Sequence, residues 1–171
     1  MNMRLFKRFA SEIAFFIAAL TVIVIDQVSK YFIRTELTIG QKIPAEGFFQ
    51  ITRCNNTGGV FGLFADQAFL ITIIAVVGIV AILVYSRYPA FNGFLVKIAL
   101  GLLLGGAIGN LIDRIRFGWV TDFIHVGGWP VFNLGDSAIV IGVVIMMYHF
   151  IFRVRKIETQ TPEDEEDEQK A

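Results

Sequence analysis

Four stretches of this 171-residue chain are long and apolar enough to cross a lipid bilayer, and this constrains its fold more than any other feature. A hydrocarbon core of about 30 Å takes roughly 20 mostly apolar residues in a helix, which satisfies every backbone polar group internally. The runs are approximately Ile13–Phe32, Ala68–Tyr85, Phe94–Ile112 and Leu134–Phe152. With 55% hydrophobic residues, 17 of them Phe, and a mean hydropathy of +0.64, the chain is too apolar for an ordinary soluble fold. The expected class is an all-α membrane protein of four transmembrane helices, one domain over residues 1–157. Arg4, Lys7 and Arg8 precede the first run as in a signal peptide, but no small-x-small cleavage site closes it before Asp26 and Lys30, so it reads as a span.

Basic residues set the orientation. Arg4, Lys7 and Arg8 lead the first run, Arg87 lies between the second and third, and Arg153, Arg155 and Lys156 follow the fourth, which predicts cytoplasmic termini. The tail, residues 158–171, carries an acidic block from Glu163 to Glu168 and is expected to stay without structure in the cytoplasm. In the long outer loop, within about residues 33–67, Phe48-Phe49-Gln50-Ile51-Thr52-Arg53 alternates imperfectly between Gly/Pro-rich flanks, which predicts a small β element on the outer membrane surface. Lys+Arg and Asp+Glu balance at 15 each, so nothing in the charge points to a nucleic-acid partner. The lone Cys54 forms no intrachain disulfide and reads as a small packing residue.

An Asp at a helix centre costs about 2.5–3.5 kcal/mol on insertion scales, so each intramembrane polar group needs a reason. Asp26 falls late in the first run, Asn110 and Arg114 at the exit of the third, and Asn133 and Asp136 at the start of the fourth; Asn56 and Asp122 lie in the two outer loops. With both termini inside, all seven converge near the outer boundary, which predicts one site. Plainer readings stand beside this one. Asp26 and Lys30 fit an interfacial helix end with a snorkelling lysine. Asn56-Thr57-Gly58-Gly59 fits a tight turn. Gly101, Gly105 and Gly109 fit close helix packing without chemistry. Asp113 beside Arg114 fits a surface ion pair, and His125 a loop residue. Asp122 and Asp136 are harder to dismiss. The former sits in the apolar Val120-Thr121-Asp122-Phe123-Ile124, and the latter opens the fourth span, where the helix dipole favours a carboxylate. Two carboxylates in different surroundings suit acid–base division of labour.

The blocks Asp26-Gln27-Val28-Ser29-Lys30, Asn56-Thr57-Gly58-Gly59-Val60-Phe61-Gly62, Gly105-Gly106-Ala107-Ile108-Gly109-Asn110-Leu111-Ile112-Asp113-Arg114, Val120-Thr121-Asp122-Phe123 and Phe132-Asn133-Leu134-Gly135-Asp136-Ser137-Ala138 resemble, in order, the signature blocks of the bacterial lipoprotein signal peptidases (signal peptidase II). The resemblance implies a multi-pass enzyme of the bacterial inner membrane, with its active site at the outer face, that removes the signal peptide of a prolipoprotein just before its diacylglyceryl-modified cysteine. It implies Asp122 and Asp136 as catalytic aspartates, with Asp26, Asn56, Asn110, Arg114 and Asn133 as supporting or substrate-binding residues and the β element as a substrate cradle. No cofactor or metal is implied. The expected partners are the lipid-modified prolipoprotein and membrane lipids, acting on a monomer. Gly135 and Val60 stand where the family commonly has alanine, away from the expected chemistry. A transporter is the main rival, but the polar residues cluster at one face and the inner halves of the spans show few polar side chains. A metal-dependent protease has a thin ligand inventory here: no HExxH, two histidines and one cysteine.

Overall fold

The computed structural model describes residues 3–58 and 68–168. It contains helices α1 (Met3–Glu36), α2 (Ala68–Tyr85), α3 (Phe94–Phe117) and α4 (Leu134–Glu168), and strands β1 (Lys42–Ile43), β2 (Phe49–Asn56) and β3 (Val120–Val126). The four expected spans are the four helices. Three contain apolar windows long enough to cross a membrane: Leu5–Glu36, Phe94–Phe117 and Leu134–Phe152. The shorter α2, at 18 residues, reaches roughly 27 Å at about 1.5 Å per residue.

The central helix is α3, whose apolar window is 56% buried against 22% for α1 and 17% for α4. Small residues allow this. A Cβ on Gly101 would lie 2.5 Å from the Phe15 carbonyl oxygen and one on Gly105 2.6 Å from that of Ala19, so α1 approaches α3 more closely than any side chain would permit. Phe15, Ala19, Val96, Leu100 and Leu104 form the buried cluster between them. Elsewhere large apolar side chains point outward, among them Phe16, Leu20, Val77, Val140 and Val144, as expected where hydrocarbon is the solvent.

Two polar features depart from expectation at the end of the bundle away from the sheet. Lys97, in the first turn of α3, is fully buried and donates to Glu12 of α1 and to the Ser86 carbonyl after α2. This end therefore carries an ion pair between a buried lysine and a half-buried glutamate, where few polar side chains were expected. Helix α4 also continues through Glu168, into the segment expected to lack structure.

The sheet is antiparallel in the order β1-β2-β3. The expected β element is thus present in β1 and β2, but a third strand comes from beyond α3, where Asp122 was expected to sit in a loop.

Candidate active site

Local signals bring Asp122 and Asp136 to one place. Gly118 ends α3 in the left-handed region (φ 80°), donating to the Arg114 carbonyl, and the chain reverses into β3. Past β3, Phe132 exchanges hydrogen bonds with Ile124 (2.8 and 3.0 Å) and so presses the start of α4 against the strand. Asn133 then caps α4. Its Oδ1 accepts from the Asp136 backbone N–H (2.9 Å) while Asp136 Oδ2 accepts from the Asn133 backbone N–H (3.2 Å), a reciprocal capping box. The cap's remaining amide group is free for the site: Asn133 Nδ2 donates to Asp122 Oδ1 (2.6 Å) and lies 3.1 Å from Asn110 Oδ1.

Each carboxylate holds a second asparagine. Asn110 Nδ2 donates to Asp136 Oδ1 and Asn56 Nδ2 to Asp122 Oδ2, both at 2.8 Å. The second contact depends on an irregularity in β2. Ile51 pairs with Ile124 but Cys54 with Asp122, so β2 spends one extra residue against β3. In a strand one residue switches the side-chain face, and this bulge places Asn56 on the Asp122 face. Asp122 is 2% exposed, whereas Asp136 is only half-buried. Burial, assisted by the charge of Asp136, pushes the Asp122 carboxyl up to about 6 from 3.8, against the opposing hydrogen bonds of Asn56 and Asn133 and the charge of Lys30. The Cys54 thiol, opposite Asp122 on β2, is also pushed up, by burial and then by the Asp122 charge.

All seven expected residues meet here. Asp26 accepts from the Gly135 backbone N–H (2.9 Å), so Gly135 belongs to the polar layer instead of standing apart from it. The Arg114 side chain makes no hydrogen bond or ion pair among the described residues, yet lies close enough to Asp136, Asp122 and Asp113 to act on all three through its charge.

Several plainer readings give way. Lys30 does not snorkel: it is fully buried, 2.8 Å from Asp26 Oδ2 and from Asn110 Oδ1 and 3.5 Å from Asp113 Oδ2. Asp113 is not in a surface pair with Arg114. It is fully buried, faces Lys30 and Arg34, and accepts from Gln27 (3.2 Å) and the Thr121 backbone N–H (2.9 Å). Gly109 is more than a packing residue, since a Cβ there would collide with the Asp26 carboxylate. His125 lies on β3, not in a loop, and pairs with Gln50 (2.9 Å). Lys30 carries one legible signal, its position four residues after Asp26 on one helix face.

Four carboxyls (Asp26, Asp113, Asp122, Asp136) share this layer with three cations (Lys30, Arg34, Arg114).

Asn56 both binds Asp122 and, through Oδ1, accepts from the Gly58 backbone N–H (2.9 Å), so the turn and the site share a residue. Gly59, Val60 and Gly62 lie outside the described residues. A hydrogen bond to a charged group is worth about 1.5–3 kcal/mol, so Asn56→Ala should lower turnover by about 10- to 100-fold. Folded yield in detergent should fall much less; an equal fall in both would make Asn56 a turn residue only.

Four apolar helices with a buried acid–base layer at one end define a polytopic membrane protein with a candidate hydrolytic site. The family model for signal peptidase (SPase) II matches residues 18–152, and the chain belongs to that family of membrane peptidases, whose members process lipoproteins. It is 44% identical over 138 residues to the lipoprotein signal peptidase of Moorella thermoacetica, covering 80% of this chain and 92% of that one. It is 36% identical over 151 residues to that of Bacillus velezensis, covering 85% and 99%. A solved structure of a bacterial membrane enzyme, obtained by the in meso method at 2.3 Å resolution, superposes with a TM-score of 0.74 at 32% identity over 81% of this chain and 87% of that one.

Proposed function

We propose that this chain is an aspartyl endopeptidase that removes the signal peptide from diacylglyceryl-modified prolipoproteins, cutting just before the lipidated cysteine. The observation that carries the reading is Asn133, which holds Asp122 through its side chain and Asp136 through its backbone while each carboxylate keeps a further asparagine. The relatives' names supply the substrate class.

In the proposed reaction Asp136, accepting two hydrogen bonds at the positive end of α4, takes a proton from water as its oxygen bonds to the scissile carbonyl carbon. Asp122, whose burial favours the protonated form, gives its proton to the carbonyl oxygen. Collapse of the tetrahedral species then breaks the C–N bond. The amine leaves with the proton held by Asp136, and the hydroxyl proton returns to Asp122, restoring the singly protonated pair. The chemistry belongs at the sheet end, where Ile43, Phe48, Phe49 and Trp129 are exposed and suited to an outer membrane surface.

Purified protein in mixed micelles should cut a lipidated prolipoprotein and leave the unlipidated form intact. Equal cutting of both would remove the lipid from the substrate definition, and no cutting would sink the assignment. The same reading places the chain in a bacterial inner membrane with the site outside. A reporter fused after Lys156 should read cytoplasmic and one inserted near Glu46 external; the reverse pattern would overturn that topology.

A further inference from the structure

The residue before Asp122 is clasped from two sides. Thr121 is fully buried; its backbone N–H donates to Asp113 Oδ2 (2.9 Å), and its Oγ1 accepts from Arg34 Nη1 (3.1 Å). The same Arg34 nitrogen lies 3.4 Å from Asp113 Oδ1, which closes a ring of contacts joining α1, α3 and β3. The Arg34 guanidinium also stacks over Phe117, 4.7 Å from the ring centroid, which fixes its plane. In addition, the Arg34 carbonyl accepts from Arg53 of β2 (2.8 Å), whose Nη1 also donates to the Leu37 carbonyl (2.9 Å). One residue at the end of α1 therefore docks both strands, β3 bearing Asp122 and β2 bearing Asn56.

We propose that Arg34 is a positioning residue for the acid–base pair, acting through Thr121 to set the placement of the Asp122 carboxyl without touching it. This rests on the reading of Asp122 as a catalytic aspartate. The geometry gives Arg34 this influence because β3 follows directly on the Gly118 reversal. Upstream of Asp122 the clasp adds polar contacts that fix the strand against the helices beside the buried Val120, and displacements of about 1 Å in a catalytic group cost on the order of 100-fold in rate. Removing the guanidinium leaves Asp113 with Lys30 and Gln27, so this buried carboxylate keeps a cation and the protein remains able to fold.

The test compares Arg34→Met, Arg34→Lys, Thr121→Val and the Arg34→Met/Thr121→Val double variant in the lipidated-prolipoprotein assay, with amide exchange at Thr121 measured in the same micelles. Arg34→Met should lower kcat by about 10-fold or more with KM within about twofold, and Thr121→Val should lose a comparable amount. The double variant should be no worse than Arg34→Met. Arg34→Lys, which keeps a charge and a donor, should recover most of the loss, and the Thr121 amide should exchange faster in Arg34→Met. A kcat within about twofold of wild type, a loss matched by the folded fraction, or multiplying losses in the double variant would overturn the proposal. If Asp122→Asn instead cleaves at the wild-type rate, the assigned reaction fails. The exchange measurement then decides the clasp separately, unchanged protection in Arg34→Met overturning it and faster exchange sustaining it.

Discussion

Replacing Asp122 or Asp136 by Asn should each lower cleavage of a lipidated prolipoprotein by about 10³-fold or more while leaving insertion and substrate binding nearly intact. Asn has almost the shape of Asp, but it neither accepts the proton of water nor passes one to a carbonyl oxygen. Because Asn133 couples the two carboxyls, the double variant should be hardly worse than either single one; additive losses would argue against a shared-proton pair. Chelators should have no effect, and activity abolished by chelator and restored by added metal would sink the mechanism.

Stability should move the opposite way for one of these variants. Asp122 binds its proton more tightly in the fold, at about 6, than the ordinary 3.8 of an unfolded chain, so its ionisation opposes folding. That cost is complete above about pH 6, shrinks as the pH falls towards 4 and is absent below, and it amounts to about 3 kcal/mol. Asp122→Asn removes it but turns one of its two acceptors into a donor facing an asparagine Nδ2, which gives up about 1.5–3 kcal/mol. The inactive variant should therefore melt at least as high as wild type at pH 7.5 and below it near pH 4. A melting difference independent of pH would contradict the buried-carboxyl account.

The second large effect concerns folding. Lys30→Met should destabilise the protein by about 3–5 kcal/mol and remove most folded protein, because it strands the buried Asp26 carboxylate and leaves Asp113 with Arg34 alone. All three Nζ contacts, to Asp26, Asn110 and Asp113, go to fully or nearly fully buried groups. Adding Asp26→Asn to Lys30→Met should recover part of the loss, since it removes one stranded charge; measuring folded yield and melting in detergent checks this. Tolerance of Lys30→Met at wild-type yield would mean that Lys30 reaches solvent after all.

Much of the architecture was legible in the residues because the bilayer imposes a one-dimensional rule. Length and apolarity identified the four helices, and the intramembrane placement of Asp26, Asn110, Asn133 and Asp136 singled them out without any knowledge of contacts. Local capping rules likewise pointed to Asp136 at a helix start. The tertiary structure alone decided the rest. It turned the segment around Asp122 into a strand by pairing it with β2, which lies before α2 in the chain, and it put Asn56 on the correct face through a one-residue bulge that no alternation pattern announces. It also converted Lys30 and Asp113 from apparent interfacial charges into buried partners, and Gly109 from packing into room for a carboxylate. Hydropathy reports the free energy of a residue against lipid or water and is a property of the residue itself. Whether a charge is solvated, paired or aimed at another group depends on side chains distant in the chain, and only the folded backbone brings those within reach.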